Sequence, residues 1–563
     1  MICILLFWLA YSPPVPLPAR LAVPRQEHLQ HKKDSSVPVH QQKSVVTNSI
    51  ADHIRRYFDH QTKQNSRSGA TEQKISSKQQ LSRFYAARMF RTVWTKPAMV
   101  SELISTIDSA VDEGLDPADY HITEIREFIS HPSALPELQA RYDILLSDAF
   151  LSLASHLRYG KVDPKNLDPN WNINNAVTRS AVEYRLQNAI TKGQIAAVLN
   201  DLRPQSPRYS QLRTGLARYR AIAKGGGWSA LPEGPTLTEG VADSRIPMLR
   251  KRLEASGEIA APGADTTSVY SKEMVDAVKK FQKHNGLHSD GDLGAATVKV
   301  MNIPVEHRID QIRINLDRYR WFIGDLEPTY VMVNIPDFTL QYVASGHQEW
   351  HTKVIVGQPI RETPVFKAEM QYIIFNPQWV IPPTILAKDA LPGIRKSISY
   401  LSHKKLNVID QNGTIVDPAT LNWSQYTKNN FPYRLQQASG DQGSLGRIKF
   451  LLPNKHIVYL HDTPNKELFK KSARAFSSGC IRVENPLDLA SHVLQDTVKW
   501  NKERITAAVN KRKTSTVTLP RRIPVFILYF TAFADGDDIQ FRNDVYGKDD
   551  AVLNALNKPL PKF

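Results

Sequence analysis

Residues 457–483 read IVYLHDTPNKELFKKSARAFSSGCIRV. The run Ile457–Leu460 is apolar and β-branched, and it leads into His461. A strand alternates its side chains, so Tyr459 and His461 share one face while Val458 and Leu460 point to the core. Nineteen positions after His461 comes Cys480, in Ser477-Ser478-Gly479-Cys480, with Arg482 two residues further on. A free thiol has a pKa of about 8.5 and attacks carbonyls poorly unless something takes its proton. A nearby imidazole does this and remains as the counter-ion. Gly479 lets the backbone turn tightly beside the thiol. Its N–H and that of Cys480 are candidates for an oxyanion hole. Arg482 carries a fixed charge suited to a forked hydrogen bond with a carboxylate. Spacing alone leaves other readings open: an inert buried thiol, a core histidine and a surface ion pair.

Outward from this stretch, β-branched runs recur at Tyr330–Ile335, Lys353–Val356, Tyr372–Phe375 and Val525–Phe533, separated by Gly, Pro and Asn. They predict a β-rich domain over 328–550. Within it, about 386–445 is polar, carries aromatics and lacks strand periodicity. It is too long for an ordinary connection and reads as an inserted lobe, with a lid as its natural role. Trp379 and Tyr433 are candidates to line a groove or to pack in a core.

Residues 241–303 read as a compact three-helix unit. Ile246, Leu249 and Leu253 form one stripe, Met274, Val278 and Phe281 a second, and Val298 with Met301 a third after the turn Ser289–Asp292. Residues 304–327 read as a linker helix. Residues 78–240 read as a helical scaffold, with Ile104, Ile107 and Val111 on one helix face and a further helix over Leu145–Arg158. Residues 23–77, rich in Gln, His, Lys and Ser, read as a disordered tether, and 551–563 as a tail. Residues 2–11, ICILLFWLAY, are about half the ~20 apolar residues a membrane span needs. They suit the core of a signal peptide over 1–22, although no Lys or Arg precedes Arg20.

The whole chain has 563 residues, with 72 Lys and Arg against 55 Asp and Glu, a formal charge of +17. An anionic envelope fits that charge, and so does simple solubility. No basic helix, zinc spacing or aromatic RNA-binding signature points to nucleic acid. Two cysteines, Cys3 and Cys480, exclude a disulfide-stapled fold and a Cys-rich metal module. No metal or cofactor motif is evident.

YLHDTP together with RAFSSGCIRVENP resembles the catalytic motif of the L,D-transpeptidases, the YkuD-domain family, and most of all its large periplasmic YcbB-type members. The resemblance continues through Val333–Pro336, Val354–Pro359, Phe375–Thr384 and Ser444–Phe450. AVKKFQKHNGLHSDGDLGAATV, residues 277–298, resembles the peptidoglycan-binding type 1 module. Together these imply a multidomain α+β protein: helical scaffold, three-helix peptidoglycan-binding module, and β-rich YkuD-type catalytic domain with an inserted lid lobe. The implied activity joins peptidoglycan stem peptides by 3→3 cross-links through a cysteine thioester, with no cofactor. Cys480 would be the nucleophile and His461 the base. Tyr459, Ser477, Ser478, Gly479 and Arg482 would form the oxyanion hole and substrate contacts. Ser478 stands where many members carry His, as in the YcbB-like branch, so the group orienting His461 is expected to be a backbone carbonyl near Ser477 or Ser478.

The same resemblance implies a donor tetrapeptide and an acceptor amine as partners, peptidoglycan synthases as further partners, and acylation of the cysteine by carbapenem-type β-lactams. It also implies export to the periplasm or cell envelope, with the N-terminal segment as a candidate inner-membrane tether, and roles in cell-wall organisation and cell shape. Alternatives on the same site are an L,D-carboxypeptidase and a lipoprotein-anchoring transpeptidase. A non-catalytic murein-binding scaffold is the alternative of a different class.

Overall fold

The structure is a computed structural model that describes residues 49–65, 77–173, 180–260, 267–322, 324, 326–496 and 498–560. The signal-like segment 1–22 lies outside the described residues, as does most of the expected tether. Part of that tether is folded. Ile50–Asn65 is a helix, and Ile54 and Phe58, one turn apart, are buried in the core of the following helices. Among the described residues no helix is long and apolar enough to cross a membrane.

The helical region is built around Pro136–Tyr159, whose Ile144, Leu146, Phe150, Leu153 and Leu157 enter one core. Buried Asp143 fixes its neighbours: it accepts from the Tyr85 hydroxyl at 2.6 Å and from the backbone N–H of Val93 and Trp94 at 2.9 and 3.0 Å. The expected Ile104/Ile107/Val111 face is displaced. The helix stops at Asp108, its buried positions are Met99, Val100, Leu103, Thr106 and Ile107, and Val111 is exposed in a 3-10 turn. In the three-helix unit all three stripes are buried in a shared core as expected.

Val305–Phe322, expected as a linker, is instead a central element. It carries Ile312, Ile314 and Leu316 and buries polar residues too, including Asn315, Asp317 and Arg320. These are satisfied from several directions, as burial demands. Arg320 donates to the Tyr209 hydroxyl and the Glu113 carbonyl, both at 2.7 Å, and Gln311 donates to the carbonyls of Thr531 and Arg542 at 2.8 Å. The expected tail is also folded. Asp549–Asn557 is a helix, with Val552 and Leu556 packed on Val162, Ile314 and Trp321.

The β-rich body begins with β1 (Tyr330–Asn334), β2 (Thr339–Ala344), β3 (His347–Gly357) and β4 (Phe366–Phe375). The insert supplies β5 (Trp379–Val380), β6 (Leu406–Ile409), β7 (Ile415–Val416) and β8 (Arg434–Gln437). The body resumes with β9 (Ile448–Leu451), β10 (Leu460–His461), β11 (Ala475–Ser477), β12 (Ile481–Val483) and β13 (Ser515–Leu528). A hairpin of β14 (Ala532–Asp535) and β15 (Asp538–Phe541) follows. The main sheet runs β11-β3-β12-β10-β9-β4-β13-β1-β2, and β2 also pairs with β3. That extra pairing closes the sheet on itself around Val333, Ile373, Phe450, Leu460, Ile481 and Val525, all buried. Closure removes exposed edges and makes every strand's inward face core.

Two expectations change here. The insert has a sheet of its own, β5-β8-β6-β7, over a core of Leu391, Val408, Trp423 and Leu435. The strand expected from Ile457 starts only at Leu460. Asn454 explains this, because its side chain accepts from the N–H of His456 and Val458 and donates to the carbonyls of Leu452 and Val458. Such local side-chain bonds compete with a ladder. They hold Ile457 at φ +57°, a strained position for a β-branched residue.

Candidate active site

Three adjacent strands of the barrel place a row of side chains. Lys449 of β9 lies opposite His461 of β10, which lies opposite Arg482 of β12. Directly paired residues share a face, so all three project from the same side of the sheet. His461 is buried, and its Nδ1 is 2.5 Å from the carbonyl oxygen of Asp462. A carbonyl only accepts, so Nδ1 carries the proton and Nε2 keeps its lone pair. The orienting carbonyl is therefore that of the next residue, not one near Ser477 or Ser478. Asp462 is itself held: its carboxylate accepts from the Arg447 N–H at 2.8 Å and from Lys466 Nζ at 2.6 Å. Gly446, at φ +57°, passes so close that a Cβ there would run into that carboxylate.

Cys480 is half-buried in the turn between β11 and β12. Its Sγ lies 3.8 Å from the carbonyl oxygen of Ile457, the strained residue. Gly479 has φ +111°, open to glycine alone without strain. Its N–H donates to Ser477 Oγ at 3.1 Å, while Ser477 Oγ–H donates to the Cys480 carbonyl at 2.5 Å. Ser477 is thus a staple of the turn, and the Gly479 N–H expected in an oxyanion hole is already engaged. Ser478 Oγ accepts from Arg361 Nη1 at 3.2 Å. Behind the turn, buried Thr363 donates to the Gly479 carbonyl and accepts from the Gly357 N–H, both at 2.9 Å.

A cleft of about 510 Å³ contains Cys480, His461, Tyr459, Arg482 and Trp379, and the insert contributes Ile385 and Lys388 to its wall. Exposed Ile360 and Ile457 add apolar surface there. Arg482 reaches the cleft with a buried Nε that has no hydrogen-bond partner among the described residues. A buried donor left unpaired is costly, and an incoming acceptor relieves it. Tyr433 is not part of the cleft wall. It packs in an aromatic cluster of the insert with Tyr426 and Phe431.

The electrostatics favour neutral partners at rest. Burial, then the positive charges of Arg482, Lys449 and Lys466, push the His461 pKa down to about 3. Burial raises the Cys480 thiol, opposed by Tyr459, Lys449 and Arg482. Burial also lowers Arg482 and Lys449 below their usual values. The imidazolium counter-ion anticipated above is therefore not the resting form. His461 is a neutral imidazole at rest, and the cations Lys449 and Arg482 stand on the strands to either side of it.

Sequence reasoning missed Lys449, Arg361 and Thr363. Lys449 left a signal, since it alternates with the buried Ile448 and Phe450 and so faces the other way. Arg361 and Thr363 left none, being more than a hundred residues from the turn that they hold.

The barrel and its cysteine cleft correspond to a known domain. Residues 328–513 match the family model of the L,D-transpeptidase catalytic domain, YkuD. Residues 79–216 match the scaffold domain and 243–301 the "Putative peptidoglycan binding domain". The β-rich body belongs to the YkuD family of L,D-transpeptidase catalytic domains, carried in one chain with the other two. A curated relative, the "Putative L,D-transpeptidase" of Haemophilus influenzae, is 33% identical over 301 residues, which is 53% of this chain. The match spans 60% of that relative's length. A solved structure, the L,D-transpeptidase from Xylanimonas cellulosilytica, aligns with 14% identity and a TM-score of 0.16, covering 53% of this chain and 100% of that one.

Proposed function

We propose that this chain is a peptidoglycan L,D-transpeptidase that forms 3→3 cross-links between stem peptides in the cell envelope. The observation that carries the reading is the meeting of Cys480, a neutral His461 and an unpaired Arg482 Nε in one cleft walled by the insert. Arg482 is suited to a substrate carboxylate and the apolar rim to the stem's aliphatic parts. Cys480 attacks the carbonyl of the third stem residue, and its proton passes to His461 Nε2. The tetrahedral intermediate collapses to a thioester as His461 returns the proton to the departing D-alanine. A side-chain amine of a second stem then attacks the thioester, losing its proton to His461 and freeing the thiol. With the Gly479 N–H engaged, the Cys480 N–H and the Tyr459 hydroxyl are the candidate donors to the oxyanion.

The test is intact-protein mass spectrometry after incubation with a carbapenem or a tetrapeptide stem, followed by muropeptide analysis with a defined acceptor. An adduct on Cys480, absent in Cys480→Ala, together with 3→3 dimers is the expected result. Release of D-alanine without dimers would make it an L,D-carboxypeptidase, and transfer only to a lipoprotein lysine an anchoring enzyme. A Cys480→Ala variant that still formed dimers, or a wild type without any adduct, would overturn the assignment.

A further inference from the structure

The proposed mechanism leaves one charged side chain of the row unused. Lys449 is largely buried, and its Nζ lies 3.8 Å from the centroid of the Tyr459 ring. It has no carboxylate partner among the described residues, and it does not form part of the cleft wall. Tyr459 stands between it and the cleft, with its ring edge-on to His461 at 5.6 Å. A buried lysine normally carries a paired charge or gives it up. Here the ammonium is met instead by the face of an aromatic ring, a favourable place for a cation.

We infer that Lys449 is a positioning residue, which fixes Tyr459 beside Cys480 and supplies a positive charge behind the nucleophile. This rests on the reading of Cys480 as nucleophile. When the thiol proton moves to His461 Nε2, the electron pair left on sulfur lies near Lys449 and Arg482. The new positive charge on His461 faces Arg482, Lys449 and Lys466. The same cations therefore favour the thiolate and make the imidazolium a short-lived proton carrier. The charge of Glu467 acts on Arg482 in the opposite sense, favouring its protonated form. Asp462 adds its carbonyl at Nδ1, while its carboxylate is engaged by Lys466 and the Arg447 N–H. Lys449, which does not line the cleft, acts without touching substrate.

The experiment is the pH dependence of iodoacetamide alkylation, read on the Cys480 peptide by mass spectrometry, in wild type, Lys449→Met and Lys449→Arg. It needs no transpeptidation, so its failure is distinct from failure of the proposed activity. Loss of a nearby opposite charge should raise the alkylation midpoint by about one pH unit, or roughly tenfold in rate near neutrality. Lys449→Arg should restore the wild-type profile. An unchanged midpoint in folded Lys449→Met would overturn the inference. If that variant does not fold, Lys449→Gln against Lys449→Arg decides the same question, and equal midpoints in those two would also overturn it.

Discussion

Arg361 grips Asp389 with both arms of its guanidinium, 2.5 Å to each carboxylate oxygen, while the same Nη1 reaches Ser478 Oγ. Asp389 belongs to the insert and Ser478 to the turn that carries Cys480. One side chain thus ties the cleft's outer wall to the turn that carries Cys480. Bidentate pairing gives such a link its direction as well as its strength. Its partial exposure keeps the energy modest, about 1 kcal/mol.

Arg361→Gln and Asp389→Asn should each slow acylation of Cys480, and the double variant should be no slower than the worse single one. A double-mutant cycle on the acylation rate constant measures this. If the two effects simply multiply, the pair does not act as a unit.

Thr363→Val should be more damaging than its size suggests. The hydroxyl serves two buried backbone groups at once, the Gly357 N–H and the Gly479 carbonyl. Valine matches its shape but satisfies neither, and each orphaned group costs about 1–3 kcal/mol. Urea unfolding should show a lowered midpoint, and acylation should slow beyond what the lost stability explains, because Gly479 adjoins the nucleophile. Thr363→Ser should retain most of both.

Stability should fall on acidification as two histidines are forced to take up protons. His461 is buried and His156 partly so, and both have folded pKa values lowered to about 3. An unfolded histidine takes up its proton near pH 6.5. Below that value the unfolded chain binds more protons than the folded one, so stability is full above about 6.5 and is lost as pH falls toward 3. His156 lies in the helical region, 2.9 Å from the Tyr120 hydroxyl through Nδ1 and away from the cleft. Replacing it with Gln should flatten the decline between pH 6.5 and 4.5 by roughly 2 kcal/mol, measured by urea midpoints. The acylation rate should show no His461 step between pH 5 and 7, since its imidazole is already neutral there. A step near 6.5 that vanishes in His461→Ala would contradict the depressed value.

Most of the cleft was legible because its chemistry is local. Tyr459, His461, Ser477, Cys480 and Arg482 fall within 24 residues, and alternation places the first two on one face. What sequence could not show was register. That Lys449 faces His461, or that Thr363 holds Gly479, depends on how distant strands and loops align. Competition also misled the reading. Ile457 has strand propensity, yet the Asn454 side chain takes the backbone groups that a ladder would use. Compositional bias hid the pair Ile54 and Phe58 within a polar stretch, although their spacing is that of a helix face. The buried polar residues of Val305–Phe322 made a central helix look like a linker, because their partners, such as Glu113, Tyr209, Thr531 and Arg542, are distant in sequence.

The closed sheet has an order of assembly written into it. β13 lies between β4 and β1, yet it comes after the end of the matched catalytic domain and some 35 residues past the nucleophile. No ring can form while that strand is still being synthesised. The Cys480 turn and His461 are therefore emitted early and left without their surroundings until the last strand arrives. A chain cut at residue 513 would keep every catalytic side chain and lack the slat between two neighbours. Such a fragment should stay open, bind chaperones and leave Cys480 reactive toward any passing oxidant.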